Sequence, residues 1–131
     1  MASREITDLL PALQSIAMEF KRRCKEAGID ILIYETYRSH KEQDANYAKG
    51  RTKAGHIITN AKGGQSKHNC VDIEGNPASH AFDAVPMKGK TCQWNDISSY
   101  EKMAVIGKEL GLKWGGDFKS IKDKPHFELP Y

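Results

Sequence analysis

Apolar residues Ile6, Leu9, Leu10, Leu13, Ile16, Ala17, Phe20 and Cys24 recur at steps of three and four, a spacing that predicts an amphipathic helix. The basic run Lys21-Arg22-Arg23 suits the carboxyl end of that helix, and Gly28 is placed to end it. Pro11 then occupies its first turn or marks a kink. Residues 29–37, Ile-Asp-Ile-Leu-Ile-Tyr-Glu-Thr-Tyr, are rich in β-branched and aromatic side chains and predict a strand mostly buried on both faces. Ser39-His40-Lys41-Glu42 has the Ser-x-x-Glu form of a capping box and opens a short helix that Gly50 closes. Residues 51–67 hold Gly55, Gly63 and Gly64 with few large apolar groups, and predict an irregular surface segment leading into Ser66-Lys67-His68-Asn69.

Alternation resumes in Ala81-Phe82-Asp83-Ala84-Val85-Pro86, a short strand bounded by Pro86. Asp96 or Ser98 caps a further helix carrying Tyr100, Met103, Ala104, Val105, Ile106 and Leu110 and ending at Gly111. Two short strands follow, around Leu112–Trp114 and His126–Leu129, separated by a Gly-Gly turn and a charged loop. The order α-β-α-loop-β-α-β-β, without repeat, low-complexity tract or linker, predicts one α+β domain over residues 1–131: a small, mostly antiparallel sheet flanked by helices.

Composition narrows the function classes. A chain of 131 residues with 39% hydrophobic and 28% charged residues can hold a core without a metal or disulfide framework, so a metal site here is expected to serve chemistry rather than folding. Twenty Lys and Arg against seventeen Asp and Glu give +3, a weak bias toward an anionic polymer. No Lys/Arg cluster interleaves with aromatics, so no nucleic-acid partner is expected. No apolar run approaches the roughly 20 residues of a membrane span, and Met1 to Glu5 lead into charged periodic sequence rather than an apolar signal core. No stable membrane insertion and no signal peptide are expected, and synthesis in the cytoplasm is. Cys24, Cys70 and Cys92 lack the spacing of a zinc ribbon or a dithiol motif.

Of the five histidines, His40, His56 and His80 read as surface or structural residues, whereas the neighbours of His68 and His126 set those two apart. Asp83 sits inside an apolar strand, where a carboxylate is costly unless paired, hydrogen-bonded or bound to a metal. His68, Asp83 and His126 make a set that suits a catalytic zinc with an open fourth position. Asp123, three residues before His126, is placed either to take a proton beside such a metal or as one more charge in the loop from Lys119 to Lys124.

These motifs, in this order, resemble a family of peptidoglycan-cleaving zinc peptidases that includes phage L-alanyl-D-glutamate endopeptidases and bacterial D-alanyl-D-alanine carboxypeptidases and dipeptidases. The elements that carry the resemblance are Thr36-Tyr37-Arg38-Ser39 followed by Glu42-Gln43, Tyr47 and Gly50-Arg51-Thr52, then Ser66-Lys67-His68-Asn69, Ala81-Phe82-Asp83, and Asp123-Lys124-Pro125-His126-Phe127. They span about residues 8–129. Asp83 lies farther from His68 than the family pattern has it, and removing Cys70–Pro77 restores the register, so residues 70–77 are expected to be an inserted loop. Asp72, Glu74 and His80 enter the same region as rival ligands, and the strand setting favours Asp83.

The resemblance implies zinc held by His68, Asp83 and His126, Asp123 as the general base that later protonates the leaving amine, and Arg38 steadying the substrate carbonyl as it gains charge. Alternatively, Arg38 pairs with a carboxylate at the sheet edge. Ser66 belongs to the substrate-binding segment or orients its loop, and Gln43, Tyr47 and Trp114 serve either as framework or as substrate contacts. The implied activity is zinc-dependent cleavage of the L-alanyl-D-glutamate bond in peptidoglycan stem peptides by a monomeric phage or prophage endolysin. Such an enzyme is made in the host cytoplasm, gains access to the wall through a holin and acts in the periplasm. A D-alanyl-D-alanine carboxypeptidase and a non-catalytic peptidoglycan-binding module are the alternatives. Cys70 and Cys92 either remain free or form a disulfide outside the cytosol.

Overall fold

The computed structural model describes residues 2–131. Its elements are α1 (Pro11–Glu26), β1 (Ile31–Glu35), α2 (His40–Ala48), β2 (Ala81–Lys88), β3 (Thr91–Cys92), α3 (Ile97–Glu109), β4 (Lys113–Trp114) and β5 (His126–Glu128), with 3-10 turns at Ile6–Asp8, Lys67–Asn69 and Gly115–Asp117. The sheet runs β1-β2-β5-β4 with β3 paired to β2, and every pairing is antiparallel. The α+β expectation holds.

Pro11 starts α1 rather than sitting inside a helix from Ile6. Without an N–H, and with a ring that crowds the preceding turn, it fits only the first helical position. The residues before it form a separate 3-10 turn, and Leu9 bridges to Ser79. Leu13, Ala17, Phe20 and Cys24 are the buried stripe of α1, as their spacing requires. The capping box at Ser39 is formed in both directions, and the Asp96 side chain accepts the Ser99 N–H to cap α3.

β1 is shorter than residues 29–37 and buried on one face only, through Ile31 and Ile33. Its upper end is diverted. The register with β2 shifts between Ile33 and Glu35, Thr36 N–H bonds Ser3, and Arg38 N–H bonds the carbonyl of His68. Pro86 does not end β2, which continues to Lys88. The Pro86 nitrogen lies on the same edge as the N–H of Ala84, which makes the last bond toward β5, so no sheet bond is lost there.

Phe82 and Phe127 are paired across β2 and β5 and point toward α1 and α3, where Phe20 meets both rings at 5.5 and 4.8 Å. Full burial of each ring contributes roughly 1.5–3 kcal/mol. Asp83 and His126 are the next pair along the same two strands, and alternation turns them to the opposite face of the sheet. The core pairing thus fixes where the polar pair emerges.

Residues 70–77 leave and rejoin the body at one place. Val71 bridges Pro77, Ala78 N–H bonds the Cys70 carbonyl, and the Asp72 carboxylate accepts the N–H groups of Glu74 and Asn76. All three cysteines are free, so the pairing of Cys70 with Cys92 is not formed. Cys70 lies beside Ala78, before β2 begins, whereas Cys92 faces Met87 near its far end. The six steps from Ala81 to Met87 span about 20 Å, and a disulfide bridges no more than about 7 Å between Cα atoms.

Candidate metal centre and cleft

Three elements deliver three donors to one point. The 3-10 turn Lys67–Asn69 brings His68, β2 brings Asp83 and β5 brings His126. Ser66 caps that turn by accepting the His68 N–H at 3.2 Å, and the Asn69 side chain accepts the Ser66 N–H in return. His68 Nε2 lies 3.1 Å from Asp83 Oδ1 and 3.2 Å from His126 Nδ1, and His126 Nδ1 lies 3.4 Å from Asp83 Oδ1. Ligands at zinc distances on a tetrahedron stand about 3.3 Å apart, so the triangle is already of the right size.

The outer nitrogens decide what the inner ones offer. His68 Nδ1 donates to the carbonyl of Thr36 at 2.7 Å, and His126 Nε2 donates to Glu128 Oε1 at 2.8 Å. With both protons used outward, neutral rings turn lone pairs inward, toward a carboxylate that has only lone pairs. Three acceptors in contact call for a cation, and the residues fit a divalent metal. Among the described residues no other group of His, Cys, Asp and Glu converges in this way.

Without a metal, the cation is a proton. Burial alone would lower the pKa of His126, but its hydrogen bonds to Asp83 and Glu128 and their charges outweigh that and push it up to about 10. Burial likewise works against the Asp83 carboxylate, yet the charge of His68 and the hydrogen bonds from both rings hold it well below the usual carboxylate range. Asp123 is shifted the other way: loss of water and the nearby Asp83 charge raise its pKa against the pull of His126, His68 and Arg38. Its side chain is 47% exposed, with Oδ2 4.0 Å from His126 Nδ1, so it stands beside the centre rather than in it.

The centre lies at the base of a cleft of about 660 Å³. Arg38, Gln43, Ser66 and Asp123 line it, together with Ile57, Ile58, Thr59, Phe118 and Ile121. Arg38 is already engaged. Nη1 donates to Gln43 at 2.8 Å, Nη2 pairs with Glu35 on β1, and Nη2 also lies 3.8 Å from Asp83 Oδ2. Gln43 is buried and also donates to the Ala61 carbonyl, which joins Arg38 to the cleft wall. A second hollow of about 450 Å³ shares Ile58, Thr59, Phe118, Ile121 and Asp123 with the first and adds Asn60 and Ser120.

Of the expected site residues, His68, Asp83 and His126 converge, while Asp123, Arg38 and Ser66 line the cleft around them. Ser66 uses its hydroxyl to cap the turn. Trp114 donates from Nε1 to the Lys124 carbonyl and braces the loop that carries Asp123. Tyr47 stacks under the Arg51 guanidinium, away from the metal donors. The rivals lie elsewhere: Asp72 and Glu74 are on the 70–77 excursion, and His80 bonds the carbonyl of Tyr131. Sequence reasoning missed Glu128 and Thr36, the outer partners of the two histidines. The two-residue step from His126 to Glu128 on a strand was the available signal, since it puts both side chains on one face. Thr36 acts through its carbonyl, which side-chain identity does not reveal.

A family model described as D-alanyl-D-alanine carboxypeptidase matches residues 59–129. The chain is 37% identical to the peptidoglycan L-alanyl-D-glutamate endopeptidase CwlK of Bacillus subtilis, over 94% of this chain and 74% of that protein. It is 33% identical to the L-alanyl-D-glutamate peptidase of Listeria phage A118, over 79% of this chain and 32% of that protein. Among solved structures, the Serratia marcescens L-Ala D-Glu endopeptidase ChiX aligns with TM-score 0.59 at 21% identity, covering 98% of this chain and 88% of the other. The LD-carboxypeptidase LdcB aligns with TM-score 0.65 at 16% identity over 93% and 65%. At those identities the two structures speak for the fold alone.

Proposed function

The chain belongs to the D-alanyl-D-alanine carboxypeptidase family of peptidases, and from that premise we propose that it is a zinc-dependent endopeptidase of peptidoglycan that cuts the L-alanyl-D-glutamate bond of stem peptides. The observation that carries this reading is the inward-facing triangle of His68 Nε2, His126 Nδ1 and Asp83 Oδ1 at the base of a long cleft, in a chain alignable almost end to end with a named endopeptidase.

In this reading His68, Asp83 and His126 hold zinc, which when bound polarises the scissile carbonyl and makes water nucleophilic at neutral pH. Asp123 takes the proton of the attacking water and returns it to the leaving amine. Its raised pKa suits that exchange, because a base nearer neutrality gives the proton back more readily. Arg38 acts through its charge: Glu35 and Gln43 hold the guanidinium beside Asp83, where a fixed positive charge favours a carbonyl oxygen becoming anionic. Ser66 holds the His68 turn. Residues 70–77 are an inserted loop that closes on itself, through the hydrogen bonds of Ala78 N–H to Cys70 and of Asp72 N–H to Asn76.

The natural setting proposed is that of a phage or prophage endolysin, acting as a monomer, made in the host cytoplasm and reaching the wall with a holin. The test is metal removal. Protein stripped with a chelator loses lysis of purified walls and regains it with one zinc per chain; full activity in the stripped protein would overturn the reading.

A further inference from the structure

His126 can serve as a ligand only if its ring presents Nδ1, not a carbon, to the centre, and only if the single proton of its neutral form sits on Nε2. Both conditions are met from outside the triangle. Glu128 Oε1 accepts the Nε2 proton at 2.8 Å, and the two-residue step along β5 brings it there without bending the strand. The other oxygen of Glu128 lies 3.1 Å from Lys67 Nζ, which also donates to the carbonyl of Leu129. Lys67 directly precedes His68, and its own carbonyl accepts the N–H of His80, just before β2 begins. One lysine thus ties the turn bearing His68 to the strand bearing His126 and to the approach of the strand bearing Asp83.

The two histidines are backed unequally. His68 leans on the neutral carbonyl of Thr36, whereas His126 leans on a carboxylate that is itself held by an ammonium. The Glu128 side chain is 14% exposed, so this contact is screened less than a surface pair would be. A carboxylate behind an imidazole fixes its tautomer and makes its free nitrogen a better donor. We propose that Lys67 and Glu128 form a positioning pair that orients His126 and locks together the elements carrying the metal ligands. The role rests on the reading of His68, Asp83 and His126 as the metal site, and neither residue of the pair takes part in bond making.

The test uses the full chain and measures zinc affinity by chelator competition, together with the visible spectrum of the cobalt-substituted protein. Glu128→Ala weakens zinc binding by about 10- to 100-fold and shifts the cobalt bands. Glu128→Gln, which keeps an oxygen acceptor, recovers part of the loss, and Lys67→Met falls between wild type and Glu128→Ala. Wild-type affinity and spectrum in Glu128→Ala would overturn the inference. If that variant does not fold, wild-type values in both Glu128→Gln and Lys67→Met overturn it equally. His68→Ala separates the two levels. Wild-type protein that binds zinc no better than His68→Ala removes the metal-site reading and the positioning role with it. Tight wild-type binding, lost in His68→Ala but intact in Glu128→Ala, removes the positioning role alone.

Discussion

Gly115 is the position at which one added methyl group most directly displaces the proposed base. A Cβ there would lie 2.2 Å from the carbonyl oxygen of Asp123, 3.1 Å from its carbonyl carbon and 2.8 Å from Cβ of His126. Ordinary contacts are longer by about 1 Å, and the nearest atom is backbone, so no rotamer change can relieve the overlap. The turn is held on both sides as well. Asp123 N–H bonds the Gly115 carbonyl at 2.9 Å, and Trp114 Nε1 bonds the Lys124 carbonyl at 2.7 Å. Gly115→Ala must therefore move Asp123 and His126 together by roughly 1 Å. Overpacking of this kind costs about 1–3 kcal/mol, and a misplacement of that size costs on the order of 100-fold in rate. The assay is kcat and KM on a soluble muropeptide, with zinc content and thermal midpoint measured on the same samples. Gly75→Ala serves as the control: its positive φ imposes backbone strain of about 1–2 kcal/mol, but nothing lies within 4 Å of the added carbon and turnover should stay normal. A Gly115→Ala enzyme with wild-type kcat and midpoint would refute the reasoning.

Two further outcomes follow from the same geometry. Asp123→Asn should keep its zinc and lose turnover by about 100- to 10,000-fold, since only proton transfer is removed; loss of zinc in that variant would make Asp123 a ligand instead. In the metal-free protein the pKa of His126 is raised to about 10, so the ring carries a proton below that pH, and zinc must expel it. Calorimetry in buffers of different ionisation enthalpy should then find one proton released per zinc near pH 7, with affinity rising about tenfold per pH unit up to that range. Binding without proton release would contradict the assignment.

The three residues that converge as candidate metal donors were legible in the sequence because each needed only a local reason. Asp83 was conspicuous as a charge in an apolar strand, and His68 and His126 through their flanking motifs. The α1 stripe, both side-chain helix caps and the sheet class followed from periodicity and capping chemistry, which act over a few residues. The rest depended on partners distant in sequence. The end of β1 is set by Ser3 and His68, and the continuation of β2 past Pro86 by which edge still needs a bond. The brace between Lys67 and Glu128 exists only once the 66–69 turn closes over β5, whereas the pairing of Arg38 with Glu35, three residues away on the edge strand, was one of the two roles the sequence left open for it. Whether Cys70 and Cys92 stay free or pair was left open for the same reason, since separation in sequence did not reveal that β2 spaces them by most of its length.

The most direct measurement of the central claim is to digest purified peptidoglycan with the zinc-loaded protein and identify the new termini by mass spectrometry after amine labelling. The expected products carry a new amino group on D-glutamate and a new carboxyl group on L-alanine, with no free D-alanine. Release of D-alanine with the L-alanyl-D-glutamate bond intact would contradict the account.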